Sequence, residues 1–174
     1  FKEDFGDVPS KEILDKKIKE EVTSGVQTLQ YQINTLMTTN GRSPLVSLFM
    51  YLREGDEYIK ENALIIEEIL KQRIEGMKDA EGKYINPEFP KLIYVIDENN
   101  CLNGGKYDYL THLALDCANK TQEPSFISAR KMRENYSGNV FSPMGFRSFL
   151  TPWKDENGTY KFEGRFNQGI VSIN

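Results

Sequence analysis

The chain has 174 residues, 39% of them hydrophobic and 28% charged, which describes one soluble globular domain long enough to bury a core. A net charge of -4 and a pI near 5.2 give no reason to expect nucleic acid or an anionic membrane surface as a partner. No apolar run approaches the roughly 20 residues that cross a bilayer, and Phe1-Lys2-Glu3-Asp4-Phe5 is neither a signal nor a transit peptide.

Ser10 is placed to cap a helix, with Glu12 in its first turn. Leu14, Ile18, Val22, Val26, Leu29, Ile33 and Leu36 recur at steps of four and three, which predicts one buried stripe on a helix over Lys11 to Thr38. Gly25, beside the stripe, offers room for a second backbone. Asn40-Gly41 and Pro44 then end the helix. The hydroxyls, amides and Arg42 between Thr38 and Ser43 either hold a phosphate or simply form the turn.

Leu45 to Leu52 reads as a strand buried on both faces. A second helix starts at Asp56 and carries Ile59, Ala63, Ile66, Leu70 and Ile74 on one face. Asp79 to Pro90 is a polar loop, and Lys91 to Asp97 is the clearest strand. Asp97 and Glu98 end that strand, where sites of α/β proteins gather, so they are candidates to line one. Gly104-Gly105 matches no phosphate-loop motif and reads as a turn before a helix near Asp108 to Asn119. His112 lies in an apolar run of that helix and is expected to be packed or at a rim. Cys101 and Cys117 have no metal-ligand spacing, and with a single histidine a zinc site would need an unusual ligand set.

Ser125 to Ser128 predicts a short strand and Ala129 to Tyr136 a short helix. Pro143 and Gly145 mark a turn that carries Phe146, an apolar ring where loop tips are usually polar. By itself Phe146 reads as a hydrophobic anchor. Lys154 to Gly158 is a hairpin turn between Phe149–Trp153 and Tyr160–Phe162, and Gly169 to Asn174 is a last strand. Arg147, Arg165 and Asn167 are polar groups beside buried-looking strands, suited to a site or to satisfying nearby carbonyls. Strands alternating with helices predict a mainly parallel α/β arrangement, either an open sheet or part of a barrel. The first residue is not Met and the chain ends in a strand-like run, so both ends are expected to be cuts in a longer polypeptide.

Four segments together carry a resemblance to a known family. They are Gln27 to Leu36 with Asn40-Gly41; Phe89-Pro90-Lys91-Leu92; Pro143-Met144-Gly145-Phe146-Arg147-Ser148-Phe149-Leu150 with Trp153 to Gly158; and Gly164-Arg165-Phe166-Asn167-Gln168-Gly169 running to Asn174. From about Lys19 onward the chain resembles the catalytic subunit of the anaerobic, glycyl-radical ribonucleoside-triphosphate reductases. The resemblance implies a segment of a ten-stranded α/β barrel and, for the parent, reduction of ribonucleoside triphosphates to deoxyribonucleoside triphosphates. It implies an active-site asparagine at Asn167 and substrate contacts from Asn40, Gly41, Arg42, Ser43, Arg147 and Arg165, with Arg42 standing where the family commonly has glutamine. The family's thiyl-radical cysteine falls on Phe146, which has no sulfur, so this chain is expected to be inactive as written.

No cofactor is expected within these residues. The family's glycyl radical, made by an iron-sulfur/S-adenosylmethionine activase, and its structural zinc belong to segments outside them. The implied partners are a ribonucleoside triphosphate, the rest of the reductase polypeptide, the activating enzyme and a second copy, in the cytoplasm. The related glycyl-radical lyases share the barrel but lack the Arg-Ser-Phe-Leu and Arg-x-Asn-x-Gly patterns. A degenerate or split reductase module that binds nucleotide or a partner chain without catalysis is the alternative, and an autonomous α/β protein is a weaker third.

Overall fold

The structure is a computed structural model and describes residues 10–37, 39, 41, 45–79, 81–101, 104–143 and 150–164. Its elements are α1 (Lys11–Thr35), β1 (Ser47–Met50), α2 (Ile59–Glu75), β2 (Met77–Lys78), β3 (Tyr84–Ile85), β4 (Lys91–Ile96), α3 (Asp108–Thr121), β5 (Ser125–Ser128), α4 (Ala129–Asn135), β6 (Trp153–Lys154) and β7 (Tyr160–Lys161). The expected last strand, Gly169 to Asn174, lies outside the described residues.

Three strands form a parallel sheet in the order β1-β4-β5. Met50 pairs with Tyr94 and Ile96 with Ser128, so the C-terminal ends of all three strands emerge along one edge. The apolar run of β4 fits the central position, with Leu92 to Val95 buried on both faces. β1 departs from the expectation of a doubly buried strand from Leu45 to Leu52. It is shorter, only half-buried before Met50, and Leu45 is exposed, because β1 has a partner on one side only among the described residues. This is a mixed α/β fold with a parallel sheet.

α2 and α3 pack against each other and cover the sheet. Ala63, Ile66 and Leu70 from α2 meet Leu110, Ala114 and Cys117 from α3 over Leu92 and Tyr94. A fully buried leucine such as Leu70 contributes about 1.5–3 kcal/mol relative to an exposed one. α2 starts at Ile59 rather than Asp56, because Asp56 is spent on a turn, its carboxylate accepting the Tyr58 N–H at 3.2 Å. Gly76 closes α2 at φ +83, where a Cβ would lie 2.8 Å from the Ile85 carbonyl oxygen.

α1 lies against α2, and Gln72 Nε2 donates to the Thr23 carbonyl at 3.1 Å across that contact. Only part of the expected stripe is buried: Val26 and Ile33 with Gln30 between them, whereas Leu14, Leu29 and Leu36 are exposed. The Ser10 side chain makes no cap hydrogen bond, and the helix stops at Thr35, where Leu36 turns extended. Gly25 has nothing within 4 Å of a Cβ built on it, so no second backbone among the described residues uses the room it leaves.

The Asp79 to Pro90 loop contains β3, which pairs antiparallel with β2 just ahead of the loop, a small ladder that the polar composition concealed. Asp79 builds the turn by accepting the N–H groups of Glu81 and Lys83, both at 2.9 Å. Asp155 does the same for the β6-β7 hairpin, accepting from Asn157 at 3.0 Å and Thr159 at 2.9 Å. The buried Arg73 of α2 ties the loop before β4 to the core by donating to the Pro87 and Pro90 carbonyls. His112 is exposed rather than packed. Cys101 is exposed, Cys117 is buried, and both are free thiols. No helix among the described residues is long and apolar enough to cross a membrane.

Candidate functional site

The C-terminal edge of the sheet carries a polar cluster. β1 delivers Tyr51 and β4 delivers Asp97, one residue past the end of each strand. Parallel pairing with Met50 opposite Tyr94 brings these two side chains to the same edge. α4, which follows β5 directly, supplies Arg133. The Arg133 guanidinium grips Asp97 at two points, Nη1 to Oδ2 at 2.7 Å and Nη2 to Oδ1 at 2.6 Å. The Tyr51 hydroxyl donates to Asp97 Oδ2 at 3.2 Å, and the Glu98 N–H donates to Oδ1 at 2.9 Å.

A buried network sets the direction of Asp97. Its own N–H donates to Asn100 Oδ1 at 2.7 Å, and Asn100 Nδ2 donates to the Val95 carbonyl at 2.9 Å and the Tyr94 hydroxyl at 3.1 Å. The Tyr94 hydroxyl also meets Thr111 Oγ1 at 3.0 Å, which links the turn to α3. Asn99 reaches the other way, donating to the Leu52 carbonyl at 2.8 Å. Gly105 closes the back of the turn, where a Cβ would lie 2.7 Å from the Asn99 carbonyl oxygen. The expected turn at Gly104-Gly105 therefore has a packing reason at its second glycine.

The electrostatics follow from the contacts. The hydrogen bonds from Arg133 hold the Asp97 carboxyl below the ordinary aspartate range, against the opposing effect of burial. Burial, and then the Asp97 charge, raise the Tyr51 phenol above its usual value. Hydrogen bonding to Asp97 raises the Arg133 guanidinium. At neutral pH the cluster is an ionised pair beside a neutral phenol. Both carboxylate oxygens are already occupied, so Asp97 is not disposed to act as a general base. A bidentate guanidinium–carboxylate contact fixes orientation as well as distance, so the arrangement is suited to holding α4 in one pose on the sheet.

Tyr51, Arg53, Asp97, Glu98, Arg133 and the 138–140 turn line an open pocket of about 340 Å³. Asp97 and Glu98, the candidates at the end of β4, both line this pocket. Gly41 is described, with φ +70 and open space around it, and is not among the pocket's lining residues. Asn40, Arg42, Ser43, Phe146, Arg147, Arg165 and Asn167 lie outside the described residues. Tyr51 and Arg133 are the participants that sequence reading missed. Their only signals were a polar-tipped aromatic ending an apolar run and a basic residue in a short helix. No three His, Cys, Asp or Glu side chains converge as metal ligands among the described residues.

Beyond α4 the rings form a second cluster. Tyr136 and Phe141 meet edge to face with centroids 4.9 Å apart, and Phe141 lies 5.3 Å from Phe162. Tyr160 lies 6.0 Å from Tyr136 and 6.4 Å from Phe162. The cluster joins the segment leaving α4 to the strand and segment that follow the β6-β7 turn.

Comparison with known proteins agrees with the resemblance read from the motifs. The sequence pattern of the family described as anaerobic ribonucleoside-triphosphate reductase matches residues 6–174. The anaerobic ribonucleoside-triphosphate reductase of enterobacteria phage T4 is 37% identical over 161 residues, covering 91% of this chain and 25% of the relative. That of Escherichia coli strain K12 is 36% identical over 156 residues, covering 88% and 21%. That of Salmonella typhimurium is 34% identical over 160 residues, covering 91% and 21%. The chain thus spans between a fifth and a quarter of the length of these relatives. With its motifs, its parallel α/β sheet and a match along nearly the whole of its length, the chain belongs to the anaerobic ribonucleoside-triphosphate reductase family.

Proposed function

We propose that the chain is a segment of the catalytic barrel of an anaerobic ribonucleoside-triphosphate reductase, whose whole polypeptide converts ribonucleoside triphosphates to deoxyribonucleoside triphosphates in the cytoplasm. The observation that carries this reading is the family match over residues 6–174, which includes the Pro143 to Leu150 motif and the Arg165-Phe166-Asn167 stretch. The parallel order β1-β4-β5, with polar groups at the C-terminal edge, is compatible with one arc of a ten-stranded barrel.

In this reading Asn167 is an active-site residue, and Asn40, Gly41, Arg42, Ser43, Arg147 and Arg165 contact substrate. The arginines suit a triphosphate because a guanidinium binds phosphate oxygens in pairs. The family's glycyl radical, installed by an activating enzyme, supplies the oxidising equivalent when present, and the structural zinc belongs with it outside this segment. A second copy of the polypeptide is a further partner. Position 146 is where the family places the cysteine that takes hydrogen from the substrate. A phenylalanine there has no S–H to exchange, so this chain does not perform that step.

Phe146 also favours a second reading, a reductase-derived module that binds nucleotide or a partner chain without turning substrate over. The outer edges of β1 and β5 have no strand partner among the described residues and offer backbone groups for pairing with another chain.

One experiment tests both. The full polypeptide that carries this segment is activated without oxygen and assayed for deoxyribonucleotide formation, with Phe146 and with Phe146→Cys. The Phe146 form is expected to give no product and the cysteine variant to give turnover. Product from the Phe146 form overturns the assignment of position 146. Failure of both forms to bind a ribonucleoside triphosphate by calorimetry overturns the reductase reading and the nucleotide-binding form of the second.

A further inference from the structure

The two short hairpins of the chain are built on the same turn. After β2, the Gly82 N–H donates to the Asp79 carbonyl at 3.0 Å and the Asp79 N–H donates to the Lys83 carbonyl at 2.9 Å. Between β6 and β7, the Gly158 N–H donates to the Asp155 carbonyl at 2.9 Å and the Asp155 N–H donates to the Thr159 carbonyl at 3.0 Å. Gly82 and Gly158 take φ +79 and +76, so a left-handed glycine closes each turn. The turns differ in the residue before that glycine, which is Glu81 in the first and Asn157 in the second.

An asparagine before a glycine carries its own reaction. The side-chain amide carbon lies within ring-closing reach of the next backbone nitrogen, and glycine presents no Cβ to block the approach. Once hydroxide has taken the Gly158 N–H proton, that nitrogen attacks Asn157 Cγ, the Cγ–Nδ2 bond breaks, and the amide nitrogen leaves as ammonia. Water then opens the cyclic imide at either carbonyl and gives aspartate or isoaspartate. In sum, asparagine and water become an acid and ammonia, with no oxidant and no cofactor. Asn157 is exposed, its side chain makes no hydrogen bond among the described residues, and a Cβ built on Gly158 meets nothing within 4 Å. Water and hydroxide therefore have free access.

The turn itself opposes the attack. The nucleophile is engaged, because its N–H is given to the Asp155 carbonyl. Asp155 Oδ1 accepts the N–H on either side of it, from Asn157 at 3.0 Å and Thr159 at 2.9 Å. The Thr159 N–H, foremost among these contacts, holds the Asp155 carboxyl below the ordinary aspartate value, so the clamp is ionised at neutral pH.

We propose that Asn157 is a deamidation site held shut by the Asp155 carboxylate, and that its isoaspartate product opens the β6-β7 hairpin. Isoaspartate adds a methylene to the backbone inside the turn, so the bonds that join Asp155 to Gly158 and Thr159 lose their spacing. The rung nearest the turn, Lys154 with Tyr160, is released first. None of this depends on the reductase reading.

The test holds the full chain in warm, mildly alkaline buffer. Peptide mapping by mass spectrometry follows position 157, with aspartate and isoaspartate separated by chromatography. A synthetic peptide of residues 153–161 gives the rate without the fold. The chain is expected to convert more slowly than the peptide. Asp155→Ala is expected to raise the rate in the chain about threefold, the scale of an exposed contact that limits local opening. Asp79→Ala, which removes the same carboxylate from the other hairpin, is expected to leave it alone. Trypsin is expected to cut the isoaspartate fraction after Lys154 faster than it cuts Asn157→Asp, which adds the charge without the methylene.

The lock is overturned if chain and peptide convert at one rate, if Asp155→Ala leaves the rate where it was, or if Asp79→Ala raises it equally. Equal resistance of the isoaspartate fraction and Asn157→Asp to trypsin overturns the opening of the hairpin.

Discussion

Arg73→Met should destabilise the fold although it replaces a buried cation with an apolar side chain of similar reach. Arg73 is 2% exposed and belongs to α2. Burial pushes its guanidinium below the usual arginine value, which measures how little water remains to solvate it. Its ion-pair partner is weak, since Glu123 sits 4.0 Å away and is already engaged with Lys91 at 3.2 Å and the Leu92 N–H at 3.0 Å. The two strong contacts are the hydrogen bonds to the buried Pro87 and Pro90 carbonyls.

Each hydrogen bond to a charged group is worth about 1.5–3 kcal/mol, and relief of guanidinium desolvation offsets part of the pair. Two orphaned carbonyls then leave a net loss of about 2–4 kcal/mol. Urea unfolding followed by far-ultraviolet circular dichroism reads this as a lower midpoint at unchanged slope. Stability within about 0.5 kcal/mol of the parent would refute the reasoning, because it would mean that the carbonyls are satisfied without Arg73.

Acid sensitivity and thiol accessibility give two more checks. Asp97 has a lowered pKa in the fold, so its contribution to stability is complete above the ordinary aspartate value near 3.8 and is lost as pH falls below it toward the depressed value. Asp97→Asn should therefore lower stability at pH 7 and flatten that acid limb in pH-dependent urea titrations. A limb of unchanged steepness would assign the acid loss to other carboxylates. Cys101 should react at once with an aromatic disulfide reagent, whereas Cys117, fully buried and with its thiol raised by burial, should react only on unfolding. Two fast equivalents in the folded chain would contradict the packing of α3 on the sheet.

What could be read from sequence was whatever a local period determines. β4 and β5 carry their strand character in six and four consecutive residues, and α2 repeats its apolar face through Ala63, Ile66 and Leu70. The α1 stripe misled because periodicity gives a face but not what covers it. α2 reaches only the part around Val22 and Val26, and Leu14 and Leu36 stay exposed. The Asp155 hairpin was legible from its Asp-Glu-Asn-Gly turn, whereas the β2-β3 ladder hid because two residues carry too few side chains for any alternation, and Asp79 does the organising there. Asp97 was legible as a strand-end carboxylate. Its partners were not, because Tyr51 and Arg133 are brought together only by the parallel register of β1 and β4 and by the placement of α4 after β5.

The strand order has a consequence for how the chain is made. β4 pairs with β1 and β5, its neighbours in chain order within this sheet, and the crossovers carry α2 with the β2-β3 ladder and then α3. A ribosome releases these pieces in the order in which they fit. Once β4 has emerged, β1, α2 and β4 form a complete crossover unit that brings Met50, Leu70 and Leu92 into one cluster. The next helix and strand then add to an existing edge without displacing anything. Growth by accretion exposes each new edge only until the next strand arrives, which shortens the time in which an unpaired strand is open to a neighbouring nascent chain.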